Sequence, residues 1–424
     1  MYKLIKFSPL IWLSGLSGVF YHFAILLHSL TKNTHPSKQK LNLVVILCFA
    51  VFFLQIVAIL KYVVFNDIEL VRVFGVFYNA SFWIMGGAII YLVANSERKE
   101  IELIQHSILT LTWLVIVAGV LVIFLSYNDG CVEMNFPSIL QLVAGNSIEA
   151  INSTLFTDST QVKLHTFEWA FNQCNPRLNI LSPYPNALAG LLLLLIPQII
   201  FRKIQYKYTM LILSLLILYF SFSRTAIFSL LMGLCFTVLI VRYRGKVIKL
   251  PILMFLLVVA LGYILLSTSL IETLLITHRE GSFIVRSTLY IESLQLAFRP
   301  ENIFLGYGVK PLSFYGVPLG SHSTYLSYFL RVGILGPFII ILLILLTFNC
   351  ARKNGIFFQT IKTGNKYQAE NLSAFASVAS MAFFMCFEDI DAPALMSFIF
   401  FLEIGVIYFF GNSRAEEIGK LRER

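Results

Sequence analysis

Between Arg279 and Gly336 an otherwise apolar chain turns polar, Arg-rich and Gly-rich: REGSFIVRSTLYIESLQLAFRPENIFLGYGVKPLSFYGVPLGSHSTYLSYFLRVGILG. The segment offers Arg279, Glu280, Arg286, Arg299 and Lys310, and it brings up His322 just before the next apolar run. Guanidinium groups suit phosphate and pyrophosphate oxygens, which they grip with two parallel N–H donors. An arginine beside a bilayer is costly unless an anion pairs with it, so these side chains point to an anionic ligand. An imidazole takes up a proton near neutral pH, which is what a general base must do. Arg224, in FSFSRTAIF, is a second outlier, since it sits between two apolar runs with no Lys or Arg beside it.

Each of these residues has a plainer reading. Arg224 could snorkel to lipid headgroups, but its isolation at a helix junction favours a site. A lone loop histidine is usually incidental, yet the arginines and Gly306, Gly308, Gly316 and Gly320 before His322 favour a role. Ser321 or Ser323 is available to cap the helix that follows. His165 and His278 lack such a context and read as loop residues. Tyr290, Tyr307, Tyr315 and Tyr325 serve packing first and sugar stacking second. Glu388, Asp389 and Asp391 read as a solvated acidic turn. No CxxC pair, HExxH, Walker-type or GxGxxG sequence is present, so neither a metal, a nucleotide nor any other cofactor is expected.

The elements that must position these residues are membrane helices. The chain has 424 residues, of which 58% are hydrophobic and 13% charged, and its mean hydropathy is +0.80. A soluble domain has about 25% charged residues. The fold class is therefore an all-α polytopic integral membrane protein, with residues 1–424 as a single transmembrane domain. The net charge of +10 lies in short connections such as Arg98, Lys99, Arg202, Lys203, Arg242, Arg244, Arg352 and Lys353. That is a topology signal and not a nucleic-acid surface. Spans are predicted at 41–65, 70–93, 102–126, 183–201, 208–222, 225–241, 250–268, 323–349, 371–388 and 392–412. The stretch 8–30 is either one span, giving eleven, or a short hairpin broken near Ser14–Gly18, giving twelve; the charge of MYKLIK favours twelve. Loops 127–182 and 269–322 then share the outer face, the second carrying the site. Cys131 and Cys174 lie in the first loop, where they form a disulfide or remain two thiols.

The ordered set FSRTAIFSLLMG (from Phe222), VRSTLY with Arg286, FLGYG (from Phe304) and HSTYLSYFLRVGILG from His322 resembles the O-antigen ligase/polymerase superfamily of bacterial membrane glycosyltransferases. That resemblance implies a GT-C-like bundle in the bacterial inner membrane with its site facing the periplasm. It also implies metal-independent, inverting transfer from undecaprenyl-pyrophosphate-linked glycans, with Arg224 and Arg286, and Arg279 as a third, holding the pyrophosphate. His322 would be the base, or the orienting group, for the acceptor hydroxyl; Tyr290 and Tyr325, near the arginines and the histidine in sequence, are the candidates for sugar stacking. Two outer loops of similar size resemble a polymerase of O-antigen or related surface polysaccharide, acting on lipid-linked repeat units with a chain-length regulator as partner. A ligase to lipid A-core is the alternative, and a transporter or flippase of lipid-linked oligosaccharide is a further one.

Overall fold

The computed structural model describes residues 1–31, 42–65, 70–126, 135–144, 161–170, 173–242, 280–313, 316–353, 366–391 and 394–422. The chain begins with α1 (Tyr2–Ser14) and α2 (Ser17–Thr31), then α3 (Leu43–Phe65), α4 (Leu70–Ala94) and α5 (Arg98–Ser126). The first long loop contributes β1 (Asn135–Pro137), α6 (Ile139–Ala144), β2 (Gln161–Lys163), β3 (His165–Ala170) and β4 (Gln173–Leu178). There follow α7 (Pro185–Phe201), α8 (Lys207–Phe220), α9 (Arg224–Arg242), α10 (Glu280–Ala297), α11 (Thr324–Val332), α12 (Leu335–Lys353), α13 (Lys366–Phe384) and α14 (Ala394–Arg422). Six of the described helices are long and apolar enough to cross a membrane, and two more, α7 and α8, are shorter apolar helices. The protein is an all-α polytopic membrane protein, and among the described residues its strands form two antiparallel ribbons, β1–β2 and β3–β4.

The N-terminal break falls where SGLSG puts it. α1 ends at Gly15 in the left-handed conformation (φ 79°), and the Tyr21 hydroxyl then donates to Ser8 Oγ at 3.0 Å. A continuous helix would hold those residues about 20 Å apart at 1.5 Å per residue, so the chain has folded back. The expected span 323–349 is not continuous. Gly333 (φ 80°) divides it into α11 and α12, and Ile334 donates its amide to Ile303 O at 2.7 Å. The expected span 250–268 and the pairing of Cys131 with Cys174 lie outside the described residues.

α13 sits at the centre of the bundle. Every residue from Glu370 to Met385 is buried, so this helix, rich in Ser and Ala, needs no lipid-facing surface. It packs closely on α9: a Cβ on Gly233 would come within 2.5 Å of the Ser380 main chain. Small residues at such a crossing let two backbones approach, the usual source of helix cohesion where lipid removes the hydrophobic drive.

The loops gather at one end of this bundle. Lys61, near the end of α3, donates to Gly306 O at 2.8 Å and Glu301 O at 2.5 Å, and Arg72 of α4 donates to Lys310 O at 2.6 Å. The FLGYG element lies against the end of α11, where Tyr307 and Gly308 donate their amides to Leu330 O (2.7 Å) and Arg331 O (3.0 Å). Gly306 is left-handed, and a Cβ there would stand 2.3 Å from the Arg331 carbonyl carbon. Gly316 is also left-handed but has open space around it. Gly316→Ala should therefore cost about 1–2 kcal/mol from its backbone alone. Gly306→Ala should cost several times more and lower the thermal midpoint of the purified protein well below that of Gly316→Ala. Equal midpoints would mean that the FLGYG packing does not hold the loop.

Candidate active site

The site is organised by the turn 385–391 that follows α13. Its first residues continue the helical bonding, with Met385 N to Met381 O at 2.9 Å and Glu388 N to Phe384 O at 3.0 Å. Thr324, the first residue of α11, then binds the turn three ways. Its amide donates to Met385 O at 2.9 Å, its hydroxyl donates to Glu388 O at 2.8 Å, and that hydroxyl accepts from Ile390 N at 3.1 Å. Ser323 caps α11 by accepting from Leu326 N at 3.3 Å, as a side-chain oxygen at this position is expected to do. The start of α11 and the acidic turn therefore form one unit.

The three carboxylates in this turn are not solvated, contrary to what their sequence suggests. Glu388 and Asp391 are 3% and 1% exposed. Arg331, wholly buried, reaches Asp391 at 2.5 Å. The Tyr328 hydroxyl donates to the same carboxylate at 3.0 Å and accepts from Trp83 Nε1. The Arg331 guanidinium also lies 4.2 Å from the centre of the Tyr328 ring, a favourable cation–π contact. Lys310 forms an ion pair with Asp389. Burial raises the proton affinity of both aspartates, but they divide. Burial and its neighbour Asp391 hold the Asp389 carboxyl above the ordinary range despite Lys310, while at Asp391 burial is outweighed by the Arg331 and Lys310 charges together with the hydrogen bonds from Arg331 and Tyr328, which hold it below.

Glu388 faces the other way, toward the functional residues expected from sequence. One oxygen lies 3.7 Å from His322 Nδ1 and the other 3.9 Å from an Arg286 guanidinium nitrogen. Asn186, at the start of α7, donates to Glu388 Oε1 at 2.5 Å. The side chains of His322 and Arg286 are about a third exposed, 30% and 34%, against 5% for Glu388. A sealed anion thus stands between two accessible groups.

One face of α10 holds this arrangement. Arg286, Tyr290 and Ser293 recur at the helical spacing that aligns side chains. Tyr290 donates its hydroxyl to His322 O at 2.8 Å, and Ser293 Oγ accepts from Gly320 N at 2.8 Å. His322 is left-handed (φ 70°), a strained conformation for a side chain with a Cβ that persists only when its surroundings impose it. Burial keeps the Tyr290 phenol protonated well above its ordinary range, Arg286 pulling weakly the other way, so the hydroxyl remains a donor.

Arg224 is the first residue of α9 and is exposed. Its helix meets the acidic turn one turn further on, where the Phe228 and Phe387 rings lie 6.1 Å apart. On its other side, Arg177 of β4 spans 3.4 Å bonds to Ser221 O and Asn186 Oδ1, which joins the turn before Arg224 to Glu388. Arg224, Arg286 and His322 therefore share one end of the bundle. Tyr325 is set apart from them, its hydroxyl donating to Ala382 O at 3.2 Å. Arg279 lies outside the described residues. Sequence reasoning missed Glu388, Asn186, Arg177 and the Arg331–Asp391 pair. A usable signal existed for one of them: an arginine in the apolar run LSYFLRVGIL needs a buried carboxylate.

Removing one member of a buried ion pair strands the other and costs about 3–5 kcal/mol, whereas replacing both with apolar groups is far milder. Asp391→Asn should thus lower the thermal midpoint sharply, and Arg331→Met combined with Asp391→Leu should recover most of the loss. An unchanged midpoint in Asp391→Asn would show that the pair does not support the turn.

No curated protein matches the chain. Residues 209–347 match a protein-family model described as O-antigen ligase. That match runs from α8 into α12 and takes in Arg224, Arg286 and His322, while the acidic turn lies beyond it. The stretch that carries both arginines and the histidine is thus similar to the O-antigen ligase family, over about a third of the chain.

Proposed function

We propose that the chain polymerises undecaprenyl-pyrophosphate-linked oligosaccharide repeat units at the periplasmic face of the bacterial inner membrane, yielding O-antigen or a related surface polysaccharide. The observation that carries this reading is the convergence of Arg286 and His322 on Glu388, with Arg224 at the same end of the bundle. The reaction needs a cationic cradle and a base side by side. A hydroxyl oxygen of the acceptor attacks the anomeric carbon from the face opposite the leaving group. The bond from that carbon to the pyrophosphate oxygen breaks, its electron pair departs with undecaprenyl pyrophosphate, and the hydroxyl proton passes to His322. One displacement inverts the anomeric centre.

Arg286 and Arg224 hold the pyrophosphate and stabilise the charge that develops on it, the largest single contribution in reactions of this kind. Tyr290 keeps the His322 main chain in place, which makes it a positioning residue and leaves little of its hydroxyl for sugar. Substantial segments on both loops favour two lipid-linked substrates and hence a polymerase. The matched model's description favours the second reading, transfer of the glycan to lipid A-core.

Purified protein in nanodiscs, given only an undecaprenyl-pyrophosphate repeat unit, should produce a ladder of lengthened lipid-linked glycans on a gel. Transfer only after lipid A-core is added would establish the ligase instead, and silence in both would favour the transporter reading. His322→Ala should slow the ladder about a hundredfold or more. Arg286→Ala and Arg224→Ala should do likewise, and Arg286→Lys should recover little because an ammonium cannot grip two oxygens. Full activity in either alanine variant would remove the arginine clamp.

A further inference from the structure

Among the described residues Glu388 has two charged partners and is in hydrogen-bond contact with neither. Its 3.9 Å separation from Arg286 and 3.7 Å separation from His322 both exceed the roughly 3.2 Å limit of a good N–H···O bond. A carboxylate this buried must keep a positive partner, and its two candidates are the groups most open to substrate. We infer that Glu388 is a shared counter-ion. It neutralises Arg286 in the empty site and is left to His322 once the donor's pyrophosphate takes Arg286, so that the base gains proton affinity only when donor is bound. This rests on the reading of Arg286 as a pyrophosphate ligand and of His322 as the base.

The surroundings leave few other groups to take part. Tyr290 of α10 acts on the His322 carbonyl. Asn186 of α7 is neutral and holds Glu388 Oε1, with Arg177 of β4 behind it. Thr324 of α11 binds the Glu388 main chain. Cys386 stands near Tyr290 and Tyr325 as a half-buried thiol. Lys310 and Asp389 are committed to each other, as are Arg331 and Asp391. Among the described residues, only Arg286 and His322 exchange claims on Glu388. Asn186 and Thr324 keep the carboxylate still during the exchange, so the gain at His322 comes from a change of neighbour and needs no movement of the turn. Glu388 is therefore a positioning and charge-tuning residue, and the proton itself still passes from acceptor hydroxyl to His322. By reciprocity, whatever donor binding adds to the proton affinity of His322, protonation of His322 adds to the affinity for donor.

The test uses the full chain in nanodiscs with isotope-labelled histidine, and undecaprenyl pyrophosphate as an occupant that cannot react. His322→Gln assigns the signal. In the wild type, adding this lipid should raise the titration midpoint of His322 by about one pH unit, a tenfold gain in proton affinity. The lipid's own charge also acts on His322, so the comparison with Glu388→Gln carries the claim: there the rise should fall by half or more. Glu388→Asp, which keeps the charge, should retain it and serves as the comparison should the glutamine variant fail to fold. No rise in the wild type, or an undiminished rise in Glu388→Gln, overturns the inference. In turnover, the acid-limb midpoint in kcat, which reports the base, should lie above that in kcat/KM in the wild type, and the gap should shrink by half or more in Glu388→Gln. A wild type that lengthens glycan with coincident profiles loses the counter-ion exchange alone, whereas one that transfers no glycan loses the function reading.

Discussion

Arg331 cannot be where it is without Asp391. A guanidinium with no exposure to water loses its hydration, and a carboxylate at 2.5 Å is what makes that position tenable. The pair joins the last turn of α11 to the end of the turn that follows α13. Tyr328 and Trp83 complete it from α11 and α4. The FLGYG element is bonded to the carbonyls of Leu330 and Arg331 themselves. Three parts of the chain remote in sequence thus meet on one salt bridge, and the geometry of everything carried by the turn follows from it. Such a pair adds little net stability compared with apolar packing. What it supplies is a single register, since an arginine buried one residue out of place would find no carboxylate.

The charges at this end of the bundle then sort by depth. Arg331 with Asp391 and Lys310 with Asp389 are closed pairs that contribute fixed structure. Glu388 forms a looser set with Arg286 and His322, and Arg224 is exposed beyond it. The sorting matters for the proposed pyrophosphate ligand, which needs cations that are not already saturated. Closed pairs inside and open ones toward the loops give a positive rim on a neutral interior, and the exposed arginines keep their hydration until a ligand replaces it.

Much of this was legible in the sequence, for identifiable reasons. Arg224 is a lone cation between two apolar runs, and His322 closes a Gly- and Arg-rich segment, so residue type and setting mark both. The break at Gly15 is visible because small residues cluster there. The division of α11 from α12 is not, since hydropathy runs unbroken across Gly333 and the cause is a tertiary bond from Ile334 to Ile303. The acidic turn was misread because carboxylates in a short connection look alike whether water or arginine surrounds them. Its partners Arg331, Lys310 and Asn186 are far off in the chain, and nothing local to Glu388 announces them. The Arg202 side chain was similarly read as a topology charge alone. It is mostly buried, donating to Gln105 at 2.9 Å and lying 3.9 Å from Glu370.

The central position of α13 bears on how the protein is made. With Lys366, Glu370, Asn371 and serines at 373, 377 and 380, this helix partitions poorly into lipid by itself. Its polar groups find their partners on helices synthesised earlier: Ser377 donates to Leu194 O at 2.8 Å, Ser373 to Gln198 Oε1 at 2.8 Å, and Glu370 faces Arg202. α14, which follows, sets Glu403 against that same Gln198 at 2.9 Å. α13 and α14 therefore pack against α7 and α9, which are made before them. The acidic turn between them, and with it the site, takes shape only once those earlier helices are in place.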